Sequence, residues 1–276
     1  MIVYQSTKDG FLNDAFKHDI EDVILAAFKA RTGRTVAKSE VRSWKESLLA
    51  MAKVLNHDSI PGGVGVAVEY GIPQTAKRID FMVAGKNADE REQLVIVELK
   101  QWETARKTDK DGIVRTRFAG GEADTSHPSY QAWSYASLLR NFNEAVYESD
   151  LELRPCAYLH NYGADGALTY SFYAEHLARA PVFLKGEAER ERLCDFIRQH
   201  VRDGDRDNII YRVENGRIRP SKGLVESLVG MLAGKQEFVL VDDQKVVYET
   251  ALAIAREAAA TGKKQVVIVD GGPGTG

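Results

Sequence analysis

Residues 94–102 read LVIVELKQW. Leu94, Val95, Ile96 and Val97 in succession mark a strand destined for the interior, since a short apolar run is the pattern of a buried strand. The run then ends on Glu98 and Lys100, where more core residues would be expected. Side chains two apart on a strand point to the same side, so these two share a face, away from Val95, Val97 and Leu99. Taken alone, the pair also reads as an edge-strand ion pair, which contributes only ~0–1 kcal/mol. The flanking sequence separates the two readings.

Upstream, residues 64–72 (VGVAVEYGI) alternate, with Val64, Val66, Val68, Tyr70 and Ile72 on one side and Gly65, Ala67, Glu69 and Gly71 on the other. In 78–83 (RIDFMV), Ile79, Phe81 and Val83 face one way, and Arg78, Asp80 and Met82 the other. Both stretches have the period of two that marks a strand. The polar stretch GKNADEREQ (85–93) is then a hairpin loop, and antiparallel pairing brings Asp80, Glu98 and Lys100 to one patch at the strand ends. Two carboxylates with a backbone carbonyl suit a hard divalent cation such as Mg²⁺. Such an ion lowers the pKa of a bound water and neutralises charge on a scissile phosphate. An adjacent ammonium positions the water or stabilises the phosphorane-like state.

Around this meander, helical spacing of Phe16, Ile20, Val23, Ile24, Ala27 and Phe28 predicts one helix over 14–31, stopped by Gly33. A second is expected from about Ser39, read as its N-cap, to Leu55. A Gly- and charge-rich loop covers about 103–127, and its section from Lys100 to Arg117 holds six basic and three acidic residues. That excess reads equally as a solvated loop or as backbone contact to nucleic acid. His127-Pro128 opens a helix running to about Val146, with Pro where its missing N–H costs nothing. Strands are expected at about 155–161 and 168–173. Amphipathic helices follow over 187–202 and 221–234, packed around the short segment Ile209, Ile210, Tyr211, Arg212 and Val213. The order is helix, three-strand meander, helix, strand, an α/β core.

The chain has 276 residues and a net charge of −3, so no global basic surface points to nucleic acid. Its two cysteines, Cys156 and Cys194, have no metal-ligand spacing, which argues against a zinc site or a disulfide framework. No apolar run approaches the roughly 20 residues of a membrane span, and the N-terminus lacks a signal-peptide pattern, so a cytoplasmic protein is expected.

In SYQAWSY (129–135), Gln131 and Tyr135 lie four apart on one helical face. Together they offer donors and an acceptor suited to a phosphate or a metal-bound water. Tyr130, Trp133 and Leu138 read as packing residues. At the C-terminus, FVLVDDQ leads into a helix over about 245–261, and VVIVDGGPGTG sets a Gly-rich segment after an apolar strand. Gly271 and Gly276 fit the two glycines of the P-loop pattern GxxxxGK[ST], with Gly274 between them, but Lys and Ser/Thr are absent. No ATP hydrolysis is expected from this chain.

RID (78–80), ELK (98–100) and QAWSY (131–135) together resemble the PD-(D/E)xK nuclease superfamily, and within it the RecB-like branch. The resemblance implies a restriction-endonuclease-like core in which Asp80 and Glu98 bind Mg²⁺ or Mn²⁺, Lys100 serves the attacking water, and Gln131 and Tyr135 line the site. Many members add an upstream Glu. Glu40, Glu46 and Glu69 are the candidates, with Glu40 preferred because SEVRSWKESL resembles a recurrent segment of the group that follows. LVDDQ (240–244) resembles the adenine-reading motif of superfamily 1 helicases, with Gln244 as reader. MIVYQSTKDGF, RIDFMVAG, VIVELKQW, HPSYQAWSY and CAYLHNY resemble the N-terminal region of bacterial Schlafen-type (group III) AAA/helicase-like proteins. That resemblance implies a nuclease-like domain (1–185), a helical linker region (186–236) and the start of a P-loop ATPase or helicase domain (237–276), as the N-terminal part of a longer nuclease–helicase protein using ATP.

The expected function is metal-dependent hydrolysis of nucleic-acid phosphodiesters, DNA before RNA, with a role in phage or plasmid defence or in repair resting on analogy alone. The alternatives are a catalytically silent module that binds nucleic acid or a partner and regulates the motor, and an accessory to a principal ATPase. A homo-oligomer is compatible with each.

Overall fold

The computed structural model describes residues 1–224 and 239–271. Its first element was not anticipated: β1 (Ile2–Thr7) is a strand, and Thr7 then caps α1 (Lys8–Lys17), its hydroxyl accepting from the Gly10 amide at 3.2 Å. The single helix expected over 14–31 is two, because His18 is extended and Asp19 restarts the chain as the N-cap of α2 (Ile20–Thr32). Gly33, at φ +66°, ends α2 as predicted, since only Gly takes this left-handed conformation without steric cost. α3 (Lys38–Leu55) begins one residue earlier than expected, with Ala37 at the cap, and buries Trp44, Leu48, Met51, Val54 and Leu55.

The meander follows as β2 (Gly65–Gly71), β3 (Arg78–Lys86) and β4 (Glu92–Leu99), so β3 and β4 each extend into the expected loop. The Gly- and charge-rich stretch is not a loop but a small antiparallel sheet, β5 (Ala105–Lys107), β6 (Ile113–Phe118) and β7 (Gly121–Ser126). Ala119 and Gly120 form its tight turn between the paired Phe118 and Gly121. α4 (Pro128–Phe142) and the short α5 (Glu144–Glu148) replace one longer helix, divided at Asn143, whose amide donates to the Val213 carbonyl at 2.8 Å. β8 (Glu152–Tyr158) lies parallel to β4, and the intervening helices provide the crossover that parallel pairing requires.

The strand expected at 168–173 is instead a 3₁₀ turn, Ser171–Tyr173, leading into α6 (Ala174–Arg179). Tyr173 is fully buried and donates to the Ile113 carbonyl at 2.7 Å, which holds the segment as a plug. β9 (Val182–Phe183), α7 (Glu187–His200), α8 (Ile209–Asn215) and α9 (Asp243–Thr261) complete the chain. The apolar stretch before the Gly-rich segment is not a strand: Val266 and Ile268 are 84% and 87% exposed, and no strand among the described residues pairs with them. The helix expected over 221–234 and the boundary at 236/237 lie largely outside the described residues, as do Gly274 and Gly276.

The main sheet runs β1-β2-β3-β4-β8-β9, antiparallel through β4 and parallel beyond. Helices cover both faces, so the protein is a three-layer α/β fold with a mixed sheet. One face packs Phe11, Ile24, Leu48, Met51, Phe81, Val95, Val97, Leu193 and Ile197. The other packs Tyr70, Met82, Leu94, Ile96, Tyr135, Leu139, Ile209 and Val213. At Gly85 the sheet edge meets the segment after α7 so closely that a Cβ would stand 2.2 Å from the Asp203 carbonyl oxygen. Both cysteines are buried and free. Among the described residues, no helix is long and apolar enough to cross a membrane.

Candidate active site

The expected strict alternation of β2 and β3 fails at one point. Val66 and Val68 pack with the helices on one side of the sheet, whereas Tyr70 and Ile72 pack on the other. On β3, Phe81 and Val83 likewise face opposite to Ile79. On β2 the change falls at Glu69, which sits at φ +59° in the left-handed region, and on β3 it falls at Asp80 opposite. For a residue with a side chain this conformation costs roughly 1–2 kcal/mol. The ladder between β2 and β3 accordingly runs from Val68↔Phe81 to Tyr70↔Ile79 and skips the pair between them, Glu69 and Asp80. Continuing the β3–β4 register one step beyond Phe81↔Val97 sets Asp80 opposite Glu98. Three carboxylates therefore stand in a row across three neighbouring strands.

Each has a distinct anchor. Glu69 is 4% exposed, accepts from the Trp44 indole N–H at 2.8 Å and is ion-paired with the Arg78 guanidinium. Asp80 accepts from the Leu99 amide at 2.8 Å. Glu98 is 2% exposed and accepts from Lys100 Nζ at 2.7 Å through Oε1, while no donor reaches its buried Oε2. Burial raises the pKa of all three, and for Glu69 and Glu98 the charge of Asp80 raises it further. Burial opposes the charge on Lys100, but Glu98 and then Asp80 more than offset it, so its pKa is raised and it stays an ammonium.

Among the described residues, no group of three or more His, Cys, Asp or Glu side chains is gathered tightly enough to hold a metal ion unaided. The donors of Asp80 and Glu98 nevertheless suit a hard cation. A buried carboxylate oxygen without a donor, among carboxyls pushed toward neutrality, presents the ligand atoms that a divalent ion satisfies.

Of the other expected residues, Gln131 and Tyr135 do meet, the Gln131 amide donating to the Tyr135 hydroxyl at 2.9 Å. Both lie on α4, positioned by its N-terminus, where His127 accepts from the Ser129 amide at 3.2 Å. Glu40, the preferred upstream carboxylate, is part-exposed and stands behind Arg78, to which it pairs at 2.9 Å. Glu46 pairs with Arg42 on the surface. Glu69 is the upstream candidate that lines up with Asp80. Gln244 is the second residue of α9, its side-chain oxygen accepting from the Val241 amide at 3.0 Å, and Gly271 is exposed.

Two residues that the sequence did not single out belong here. Asp242 accepts from the Tyr135 hydroxyl at 2.6 Å, and Lys77 lies 3.2 Å from the same carboxylate oxygen. The basic excess of 100–117 is also largely neutralised. β7 brings Glu122 and Asp124 against it, where they pair with Arg106, Lys110 and Arg115. From Lys100 to Asp124 six basic residues face five acidic ones.

No family model, no curated protein and no solved structure matches the chain.

Proposed function

We propose that the protein is a metal-dependent nuclease of the PD-(D/E)xK type, hydrolysing phosphodiester bonds of nucleic acid, with DNA the favoured substrate. The observation that carries this reading is the row Glu69, Asp80 and Glu98 across β2, β3 and β4, with Lys100 beside its last member. Asp80 and Glu98 would hold the cation, with Glu69 the neighbouring carboxylate of the row. Mg²⁺ or Mn²⁺, when bound, supplies charge neutralisation and a more acidic water. Lys100 orients the attacking water, whose oxygen bonds to phosphorus as a P–O ester bond breaks, and Gln131 and Tyr135 hold the phosphate from the α4 side. The buried strand ends fix these groups with little rearrangement, which is what electrostatic stabilisation of a phosphorane-like state requires.

Incubation with single- and double-stranded DNA and RNA in Mg²⁺ and Mn²⁺ tests the reading. Cleavage by the wild type that Asp80→Asn and Lys100→Ala abolish supports it; absence of such cleavage on every substrate sinks it. A silent nucleic-acid-binding module is the second reading. It is favoured by the ion pairs that Arg78 and Lys100 already make with Glu69 and Glu98. Calorimetric titration with Mg²⁺ separates the two, since only the nuclease must take up the ion.

A further inference from the structure

Three donors converge on one oxygen of Asp242. The Tyr135 hydroxyl reaches Oδ2 at 2.6 Å, the Gln131 amide nitrogen at 3.5 Å and Lys77 Nζ at 3.2 Å, the ammonium also donating to the exposed Asp243 carboxylate at 2.8 Å. They come from two separate parts of the fold, the turn between β2 and β3 and the first turns of α4. The carboxylate they share arrives from far along the chain, just ahead of α9. Asp242 is only 15% exposed at its side chain, and its backbone takes φ +50°, which residues with side chains rarely adopt. The segment is also tied down at its backbone: Tyr130 donates to the Leu240 carbonyl at 2.6 Å, and Ser126 to the Asp242 carbonyl at 3.1 Å.

An ammonium, an amide and a phenol aimed at one point make an anion site. A carboxylate oxygen and a non-bridging phosphate oxygen ask for the same donors. Asp242 also lies close enough to Glu98 and Lys100 for its charge to act on both. A phosphodiester at this point would sit beside the carboxylate row, where hydrolysis requires it. While Asp242 is there, a strand cannot be, and its negative charge repels an incoming phosphate.

We infer that Lys77, Gln131 and Tyr135 form the phosphate-binding subsite of this centre, and that Asp242 fills it as an intramolecular substitute which a nucleic-acid strand must displace. The inference rests on the nucleic-acid reading above but not on hydrolysis. The segment 240–242 is then an inhibitory strap, and binding and release of the strap are two sides of one competition.

The test uses the 276-residue protein in EDTA, so that cleavage plays no part, with a fluorescein-labelled single-stranded DNA oligonucleotide read by anisotropy. Asp242→Asn and Asp242→Ala should each bind about tenfold more tightly than the wild type, and adding Lys77→Ala should erase the gain. In the wild type, hydrogen exchange of the amides at 240–244 should quicken when the oligonucleotide binds, a measurement that needs no variant to fold. Variants that bind no more tightly than the wild type, or exchange at 240–244 that does not change at saturation, overturn the inference. Tightened binding without cleavage on adding Mn²⁺ would leave the subsite standing and count against the nuclease reading alone.

Discussion

Glu69 and Asp80 face each other on β2 and β3 at the one place where the ladder between those strands skips a pair, with Glu69 at φ +59°. A strained backbone held by its surroundings is a mark of a functional position. The arrangement ranks the upstream carboxylates. Glu69→Gln keeps an acceptor for the Trp44 indole and should fold, yet lower metal-dependent cleavage by roughly 100-fold, whereas Glu40→Gln should stay within about threefold of the wild type. Comparing kcat/KM of the two variants decides it; a Glu69→Gln variant within about threefold of the wild type would remove Glu69 from the site.

Asp80→Asn should uncouple stability from activity. Asn can still accept from the Leu99 amide, while the repulsion that helps raise the pKa of Glu69 and Glu98 disappears. Thermal unfolding in EDTA should therefore show a Tm no lower than that of the wild type. Millimolar Mn²⁺ should raise the wild-type Tm, because an ion that binds only the folded state stabilises it, and should leave Asp80→Asn unmoved. A variant that melts earlier in EDTA would mean that Asp80 is a structural residue.

His127 gives the fold a pH dependence remote from the carboxylates. Its Nδ1 accepts from the Ser129 amide and its Nε2 meets the Leu168 carbonyl at 2.9 Å, so the neutral ring with the proton on Nε2 satisfies both. Burial pushes its pKa down from 6.5 to about 4. The unfolded chain thus binds the proton first. The contribution to stability is complete above pH 6.5 and is lost as pH falls toward 4, amounting to about 3 kcal/mol in full. Asn at this position caps a helix without titrating. Urea unfolding of His127→Asn should lose less stability between pH 7 and pH 5 than the wild type, and parallel losses would refute the assignment.

Gly85→Ala tests how the segment after α7 is joined to the sheet. The new methyl group would need the Asp203 backbone to move, since it would lie 2.2 Å from that carbonyl oxygen and 2.6 Å from Val201 Cγ1. A loss of about 1–3 kcal/mol in denaturant unfolding is expected, the range for overpacking a rigid site.

Sequence patterning reached the parts of the site that are local. The run from Leu94 to Lys100 defines β4 and its polar end, and Pro128 marks the start of α4, because both signals depend on near neighbours in the chain. The reversal at Glu69 was invisible, since no Gly or Asn announces a left-handed residue there. Alternation continued past it therefore predicted the wrong face for Tyr70 and Ile72. The Gly- and charge-rich composition of 103–127 reads as a loop although the stretch holds a hairpin turning at Ala119 and Gly120, and the spacing of the buried Val114 and Thr116 is the strand signal within it. Asp242 lies within LVDDQ, but its contact with Tyr135 has no sequence signal, because that contact is set by tertiary packing across 107 residues.

The reversal in β2 also governs how the sheet can assemble. An ordinary alternating strand can slide by two residues against its neighbour and still present apolar side chains to the same core. β2 cannot, because its two halves serve opposite sides and change over at Glu69, just where β3 changes over at Asp80. Any slip would leave the two crossovers out of step and turn Val68 or Tyr70 toward the wrong layer. The carboxylates proposed for chemistry thus act as a registration key, and a chain that pairs β2 with β3 correctly has by the same act set Glu69 opposite Asp80.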